Sequence, residues 1–181
     1  MEELYFEDDE IYIRCVKMCD KESVWEFKKE FSDNNENTQG TTSLNRAESF
    51  EKWVEMIKMY SSKESVPSMH AASTQFLAFR KSDDRLVGMV NVRHYLTDFL
   101  LAYGGHIGDC VRPSERNKGY ATRQIALSLQ YLKSIGIDKV LVVCLSSNPA
   151  SRRTIEKNGG LLESVVDKDG EVHERYWINN N

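Results

Sequence analysis

The sequence predicts a mixed α/β fold of the α+β type, with helices flanking a mixed sheet, in one domain over residues 1–181. Three observations support this fold class. Apolar residues alternate with polar ones along several short segments, which is the pattern of half-buried strands. Residues 118–135 carry apolar side chains at helical spacing and are followed by Gly136, a helix C-cap residue. Residues 139–145 form a continuous apolar run, typical of a strand covered on both faces.

The first part of the chain alternates between periodic segments and polar segments. Alternation predicts a strand over residues 11–18, and apolar residues at helical spacing predict helices over residues 21–31 and 46–60. Residues 32–45 and 61–73 are rich in turn formers and are predicted to be loops. This part therefore reads β-α-α.

The rest of the chain is richer in strands. Gly88 lies inside the predicted strand over residues 85–95 and indicates a bulge or a close approach of another group to the backbone. Pro113 ends the predicted strand over residues 106–112. The predicted order is β-β-β-α-β-α-β-β, with strands over residues 74–80, 85–95, 106–112 and 139–145, helices over residues 118–135 and 148–157, and a hairpin over residues 161–178.

Composition and charge exclude several classes of protein. The net charge is −4, which argues against nucleic-acid binding, because that affinity comes from cationic contacts to phosphate. No apolar run approaches the roughly 18 residues that span a bilayer, so no membrane association is expected. The acidic first ten residues are unlike a secretory leader and predict a solvated tail. The four cysteines lack metal-site spacing and predict free thiols in the cytoplasm, with no metal site.

A candidate anion site lies in residues 105–122 (GHIGDCVRPSERNKGYAT). A predicted strand ends near Pro113, and a predicted helix begins at Lys118 or Gly119. The first N–H groups of a helix have no intrahelical partner and, with the helix dipole, favour an anion such as pyrophosphate. Gly119 lets a phosphate approach the backbone without a Cβ in the way. Residues 116–121 (RNKGYA) are therefore predicted to bind a pyrophosphate, with added charge from the Arg and Lys.

Two motifs resemble those of a known family. The pattern Val111-x-Pro113-x-x-Arg116-x-x-Gly119-x-Ala121 resembles motif A of the GNAT superfamily of N-acetyltransferases. Motif B of the same superfamily is similar to residues 139–145 followed by Asn148-x-x-Ser151 and a helix that ends at Gly159. Further segments resemble an uncharacterised bacterial subgroup of predicted acetyltransferases. They are residues 85–88 (RLVG), 91–94 (NVRH), 104–108 (GGHIG) and 155–160 (IEKNGG).

The resemblance covers residues 74–178 and implies a binding mode for acetyl-CoA, the expected co-substrate. Strands 106–112 and 139–144 would be parallel neighbours that splay apart, and the pantetheine arm would enter the gap. A backbone N–H near Val111 would polarise the thioester carbonyl. The implied acetyl-CoA contacts are Cys110, Val111, Arg112, Arg116, Asn117, Lys118, Gly119, Tyr120, Ala121, Thr122, Asn148 and Ser151.

The resemblance also suggests which groups move protons. The base of GNAT enzymes often lies on the strand equivalent to residues 106–112, where Asp109 and His106 are the candidates. Ile155 occupies the position at which many GNAT enzymes have a tyrosine that protonates the leaving thiolate. Ser151, one turn into that helix, is a candidate substitute. Capping the helix or contacting the pantetheine is its alternative role.

The implied function is transfer of an acetyl group from acetyl-CoA to a primary amine on a small molecule or peptide, by direct attack in a ternary complex. The alternative is a non-catalytic acyl-CoA-binding sensor or interaction module with a degenerate GNAT fold, which the Ile155 departure favours. A phosphate or nucleotide binder outside the family would lack motif B. Whether the chain forms a homodimer stays open.

Overall fold

Eight strands and four α-helices form residues 4–181, the part of the chain that this computed structural model describes. Their order confirms the predicted succession and adds one strand at the beginning. The elements are β1 (Tyr5–Glu7), β2 (Ile11–Cys15), α1 (Lys21–Asp33), α2 (Phe50–Tyr60), β3 (Ser73–Arg80), β4 (Arg85–Arg93), β5 (Ile107–Val111), α3 (Tyr120–Ser134), β6 (Lys139–Leu145), α4 (Pro149–Lys157), β7 (Leu161–Lys168) and β8 (Glu171–Asn179).

The strands form two sheets, and every ladder in residues 4–181 is antiparallel. The larger sheet has the order β1-β2-β3-β4-β5, and the smaller one has the order β6-β8-β7. The mixed α/β fold class is confirmed, while the expected single mixed sheet is divided between β5 and β6. Those two strands are the facing edges of the two sheets.

A contact at the beginning of β5 joins the two sheets. The backbone N–H of His106 donates to the carbonyl of Leu141 over 2.7 Å. Gly105 (φ +65°) makes this approach possible, since a Cβ there would lie 2.5 Å from the same carbonyl oxygen. No ladder continues the contact, so beyond this point the edges of β5 and β6 are free of each other.

Two of the four α-helices in residues 4–181, α2 and α4, begin at a residue whose side chain accepts an N–H of the first turn. The Ser49 hydroxyl accepts the Lys52 N–H at the beginning of α2, and the Asn148 side chain accepts the Ser151 N–H at the beginning of α4. Residues 46–49 are predicted to belong to the helix over residues 46–60, but they lie outside α2 and end at its cap, Ser49. Within residues 4–181, no helix is both long enough and apolar enough to cross a bilayer.

The larger sheet is covered on both faces. One hydrophobic cluster joins α1 and α2 to one face, through Phe27, Phe50 and Trp53. The other cluster joins α3 and the smaller sheet to the opposite face, through Ile125, Leu132 and others. The side chains of β5 alternate between these two environments, and this alternation decides which of them reach the site.

The acidic N-terminal segment is not a free tail where the structure describes it. β1 pairs with β2, and Phe6 packs on the core. The Asp8 carboxylate accepts the N–H groups of Glu10 and Ile11 at 2.8 Å each, which closes the turn between the strands. Sequence periodicity missed β1 because it is only three residues long. The predicted tail's residues 1–3 lie outside the described part.

Candidate active site

The loop from β5 to α3 presents backbone N–H groups to a cavity. Asn117 (φ +63°) and Gly119 (φ +87°) both adopt a left-handed backbone immediately before α3 begins at Tyr120. Within the described chain, no side chain caps this end of α3. The first N–H groups of the helix therefore remain available to an anion. A Cβ at Gly119 would meet no atom within 4 Å, so that side of the loop is open.

The cavity lies where β5 and β6 diverge and has a volume of about 590 Å³. One wall is the end of β5, and the opposite wall is the first turns of α4, which follow β6. The loop before α3 and the segment after α1 complete it. Of the predicted residues, the lining includes Asp109, Cys110, Val111, Arg116, Asn117, Gly119, Tyr120, Ala121, Thr122, Asn148 and Ser151.

Arg116 pairs with an acidic residue from the segment after α1. Its Nη1 donates to the Glu36 carboxylate over 3.0 Å, and its guanidinium lies 5.6 Å from the Phe31 ring centroid. The hydrogen bond from Arg116 lowers the pKa of Glu36. Both side chains are exposed. An exposed pair of this kind contributes about 0–1 kcal/mol, so an incoming phosphate can compete for the guanidinium.

Two further cations line the cavity from α4. Arg153 and Lys157 are one helical turn apart and exposed, and within residues 4–181 neither pairs with a carboxylate. Together with Arg116 they make this end of the cavity suitable for phosphate groups.

Asp109 is an ionisable group in the cavity lining at β5. Its side chain is on the α3 face of β5, where the Gln124 Nε2 donates to its Oδ2 over 2.7 Å. Burial raises the pKa of Asp109 to about 6, and the hydrogen bond from Gln124 partly opposes that increase. A carboxylate with this pKa is ionised at neutral pH and is a competent proton acceptor.

The Gln124 side chain has room against β4 only because residue 88 is a glycine. A Cβ at Gly88 would lie 2.2 Å from the Gln124 Oε1. The predicted close approach at Gly88 is confirmed, and the β3–β4 register shifts beside it, between Ala78 and Phe79. The Gln124 Oε1 is buried and has no hydrogen-bond partner in residues 4–181.

His106 lies outside the cavity lining, at the junction of the two sheets. Its Nδ1 accepts the backbone N–H of Leu141 over 2.9 Å, so the neutral ring carries its proton on Nε2. Burial and, to a smaller extent, the charge of the nearby Arg93 lower the pKa of His106 to about 4. At neutral pH His106 is therefore a hydrogen-bond donor through Nε2.

The first turn of α4 faces the cavity with polar groups. The Oδ1 of Asn148 accepts the Ser151 N–H over 3.1 Å, which leaves the Asn148 Nδ2 as a donor. The Ser151 hydroxyl contacts Cys144 and lowers the pKa of its thiol, while burial is the larger effect and raises it to about 11. Ile155, on the same helix, is fully buried and turns away from the cavity.

Two cations predicted to contact the co-substrate are engaged elsewhere. The buried Arg112 donates from Nε to Glu30 of α1 over 2.7 Å. Lys118 donates to Glu115 over 2.8 Å. Neither is part of the cavity lining. Arg112 alternates with Val111 along the chain, so the two side chains leave β5 in opposite directions.

Several lining residues were not predicted from the sequence. Glu36, Asn37 and Gln39 come from the segment between α1 and α2, which is predicted to be a loop that by family analogy borders the acceptor cleft, with no individual contact to the loop before α3 predicted. No local pattern brings that segment to β5. The α4 cations had a usable signal, because Arg153 and Lys157 have the i, i+4 spacing of one helix face in the segment already assigned to motif B.

Comparison with known proteins supports the same family. Residues 5–160 match the family model described as an acetyltransferase (GNAT) domain. No curated protein matches the chain. Among solved structures, the ribosomal-protein-S5-alanine acetyltransferase of Vibrio fischeri is similar, with 15% identity, a TM-score of 0.71 and coverage of 98% of this chain and 97% of that chain.

Two other structures show the same fold. RimJ of Mycobacterium smegmatis, solved in complex with CoA-disulfide, has 16% identity, a TM-score of 0.69 and coverage of 98% of this chain and 86% of that chain. The spermidine/spermine N-acetyltransferase SpeG of Vibrio cholerae has 16% identity, a TM-score of 0.65 and coverage of 96% and 95%. Since the family match extends over most of the sequence, the chain belongs to the GNAT family of acetyltransferases.

Proposed function

We propose that this chain transfers an acetyl group from acetyl-CoA to the primary amine of a small molecule or peptide, by direct attack in a ternary complex. The observation that carries the proposal is the cavity. It brings together an uncapped helix N-terminus, the α4 cations that pair with no carboxylate in residues 4–181, and a carboxylate with a near-neutral pKa. The free thiols of all four cysteines accord with a cytoplasmic location.

The cavity residues fit a CoA molecule. The N–H groups at the beginning of α3 and the Arg116 guanidinium would hold the pyrophosphate, and Arg153 and Lys157 would hold further phosphate charge. The unpaired edge of β5 at Cys110 and Val111 offers backbone groups to the pantetheine amides, and the Asn148 Nδ2 faces them from α4. Acetyl-CoA supplies the acetyl group in activated form, as a thioester.

Asp109 is the proton acceptor in this proposal. An amine with the pKa of lysine is mostly protonated at pH 7, so a base has to remove a proton before attack. The Oδ2 of Asp109 is occupied by Gln124, which leaves Oδ1 to take the proton. His106 is the weaker candidate, because its Nδ1 already accepts the Leu141 N–H and its pKa is about 4.

The leaving sulfur needs little help. A thiol has a pKa near 8.5 in water and departs as the thiolate without full protonation. Ile155 cannot donate a proton. We assign the Ser151 hydroxyl, in the cavity lining, a hydrogen bond to that sulfur in addition to its contact with Cys144.

Thiol release from acetyl-CoA, measured with a panel of amines, tests the proposal. The panel contains alkylamines, amino acids, spermidine and peptides that begin with alanine. Wild type should release thiol above spontaneous hydrolysis with at least one class. Asp109→Asn keeps the shape of the side chain and should reduce the rate roughly 10²- to 10⁴-fold without weakening acetyl-CoA binding.

Two other outcomes would contradict the proposal differently. Saturable acetyl-CoA binding without turnover of any amine would favour the non-catalytic acyl-CoA-binding module. Absence of acetyl-CoA binding would contradict both functions, and a fully active Asp109→Asn variant would remove Asp109 as the base.

A further inference from the structure

A row of buried polar side chains lies on the α1–α2 face of β3 and β4. Gln75 donates to the Gly40 carbonyl over 3.1 Å and accepts from the Thr42 hydroxyl over 2.8 Å. Asn91, its neighbour in β4, donates to the same hydroxyl over 3.1 Å. These bonds hold the segment between α1 and α2 on the sheet. Arg93 continues the row at the end of β4.

Arg93 differs from the comparable arginines of the chain because no carboxylate pairs with it. Its Nη1 donates to the carbonyls of Gly104 and Gly105, at 3.0 and 3.1 Å. Its Nε and Nη2 groups have no acceptor in residues 4–181. The other buried or half-buried arginines there each pair with a carboxylate, namely Arg14, Arg80, Arg112, Arg123, Arg152 and Arg175.

A half-buried cation of this kind is costly to the fold. Removing a guanidinium from water without an opposite charge is unfavourable, and carbonyl dipoles compensate only in part. Burial lowers the pKa of Arg93 to about 10, and no carboxylate opposes that decrease. The site thus has hydrogen-bond donors and positive charge in excess of its acceptors.

The Arg93 guanidinium lies next to Gly108, the residue before the cavity-lining Asp109. A Cβ at Gly108 would be 3.0 Å from the Arg93 Nη2 and 3.4 Å from the Gly40 Cα, so both groups pack against that glycine. Asp109, which follows Gly108, lines the cavity, and so does Gln39, which precedes Gly40. The Asp109 side chain is on the α3 face of the sheet and Arg93 is on the α1–α2 face, so a molecule that reaches both groups has to span the free edge of β5.

His106 adds a second donor at the same place. Its N–H pairs with Leu141, and its carbonyl accepts the Arg93 N–H over 2.8 Å. Because Nδ1 accepts the Leu141 N–H, the ring proton is on Nε2, for which residues 4–181 provide no acceptor. Arg93 and His106 both present hydrogen-bond donors, and no carboxylate in the described part of the chain accepts from either side chain.

We infer that Arg93, with the Nε2–H of His106, binds a carboxylate of the acceptor, so that the preferred acceptor is an amine that carries an acidic group in the same molecule. This inference rests on the proposed function, from which the amine of the acceptor comes, and it adds a carboxylate in the same acceptor molecule. A guanidinium fork matches a planar carboxylate with two parallel hydrogen bonds. A polycation such as spermidine is disfavoured at this site by like charge.

Matched pairs of amines test the inference by binding alone. Full-length protein saturated with CoA, which cannot transfer an acetyl group, is titrated calorimetrically with β-alanine and with β-alaninamide. A peptide arm compares Ser-Asp-Ala amide with Ser-Asn-Ala amide. Wild type should bind the acid at least tenfold more tightly than the amide in one arm, and the arm that responds distinguishes a free amino acid from a peptide.

Variants at Arg93 assign the preference to that residue. Arg93→Gln keeps a donor for the two glycine carbonyls and should abolish the preference for the acid. Lys139→Gln, the same change in charge at an exposed position at the beginning of β6, should leave it intact. If Arg93→Gln does not fold, Arg93→Lys takes its place and should reduce the preference at least threefold, because the fork is lost.

The inference is overturned by equal binding of acid and amide, by absence of binding in both arms, or by an Arg93 variant that keeps the full preference. Thiol release from acetyl-CoA with the same compounds is measured separately. A preference for acids without turnover would contradict the proposed function and support the carboxylate site at Arg93. Turnover of amines without the preference would support the proposed function and contradict that site.

Discussion

Gln124 of α3 donates its side-chain N–H to the Oδ2 of Asp109 over 2.7 Å while its own Oε1 stays buried and without a partner in the described residues. A donor fixed in this way favours the ionised form of the carboxylate. It also leaves Oδ1 as the oxygen that can accept a proton. The pair therefore links a residue inside a helix to the pKa of the proposed proton acceptor.

Replacing Gln124 should shift the pH dependence of the reaction. Wild-type activity should increase as pH rises through about 6, the pKa of Asp109. Gln124→Met removes the hydrogen bond that lowers this pKa, so the increase should move to higher pH by about 0.5–1 pH unit, the equivalent of one hydrogen bond. Rates of thiol release between pH 5 and 9 measure it. Gln130→Met, at an exposed position of α3, is the control, and an unmoved profile in Gln124→Met would contradict the assignment of Asp109.

Asp109 should also make the fold less stable at high pH. Its native pKa of about 6 is above that of an unfolded aspartate, so the native state binds more protons between about pH 4 and 6. The free energy of unfolding therefore decreases as pH rises through this window. Asp109→Asn should be about 1–3 kcal/mol more stable than wild type at pH 8 and equal to it at pH 4. Urea unfolding at both pH values measures this, with the exposed Asp138→Asn as control. A stabilisation of the same size at pH 4 would exclude titration as its cause.

Blocking the beginning of α3 should weaken acetyl-CoA binding. Gly119 and Gly136 flank the same helix, both have positive φ, and a Cβ at either would meet no atom within 4 Å. Gly119→Trp should reduce affinity at least tenfold, which is about 1.4 kcal/mol of binding free energy. Gly136→Trp imposes similar backbone strain away from the cavity and should leave the affinity unchanged. Calorimetric titration of both variants gives the comparison, and equal losses would indicate a general effect of strain.

Removing the Glu36 charge should tighten acetyl-CoA binding. Glu36 occupies the Arg116 guanidinium that a phosphate would use, and its negative charge opposes the phosphates. Glu36→Gln should therefore lower the dissociation constant about two- to fivefold, consistent with the modest energy of an exposed ion pair. Glu55→Gln, an exposed change in α2, should have no effect. Weaker binding in Glu36→Gln would mean that the ion pair supports the site.

The sequence was sufficient where the site is built from neighbouring residues. The strand, Pro113, Gly119 and the amphipathic helix after it follow one another within the chain, so their geometry is a local matter. The open loop before α3 could be predicted for that reason, and its binding of a phosphate stays a prediction. The assignment of Ile155 as a residue without chemistry also agrees with its complete burial.

Long-range contacts determined what could not be predicted. Glu36 and Arg116 are 80 positions apart, and nothing near either residue indicates the pair. The direction of the Arg112 side chain depends on Glu30 of α1, and the protonation of His106 depends on the Leu141 N–H. The division of the sheet at β5 likewise arises from packing between distant strands. Periodicity within a segment carries no information on such partners.

Gly40 and Gly108 touch backbone to backbone, and a Cβ on Gly40 would lie 1.9 Å from the Gly108 carbonyl oxygen. The two glycines therefore form one close backbone contact between the α1–α2 segment and β5. Anyone who grafts a segment from a relative to alter the choice of acceptor would have to transplant this pair together. The exposed Glu36, Asn37 and Gln39, which precede this pair, line the cavity, so a graft that keeps Gly40 and Gly108 in contact would still change the cavity wall.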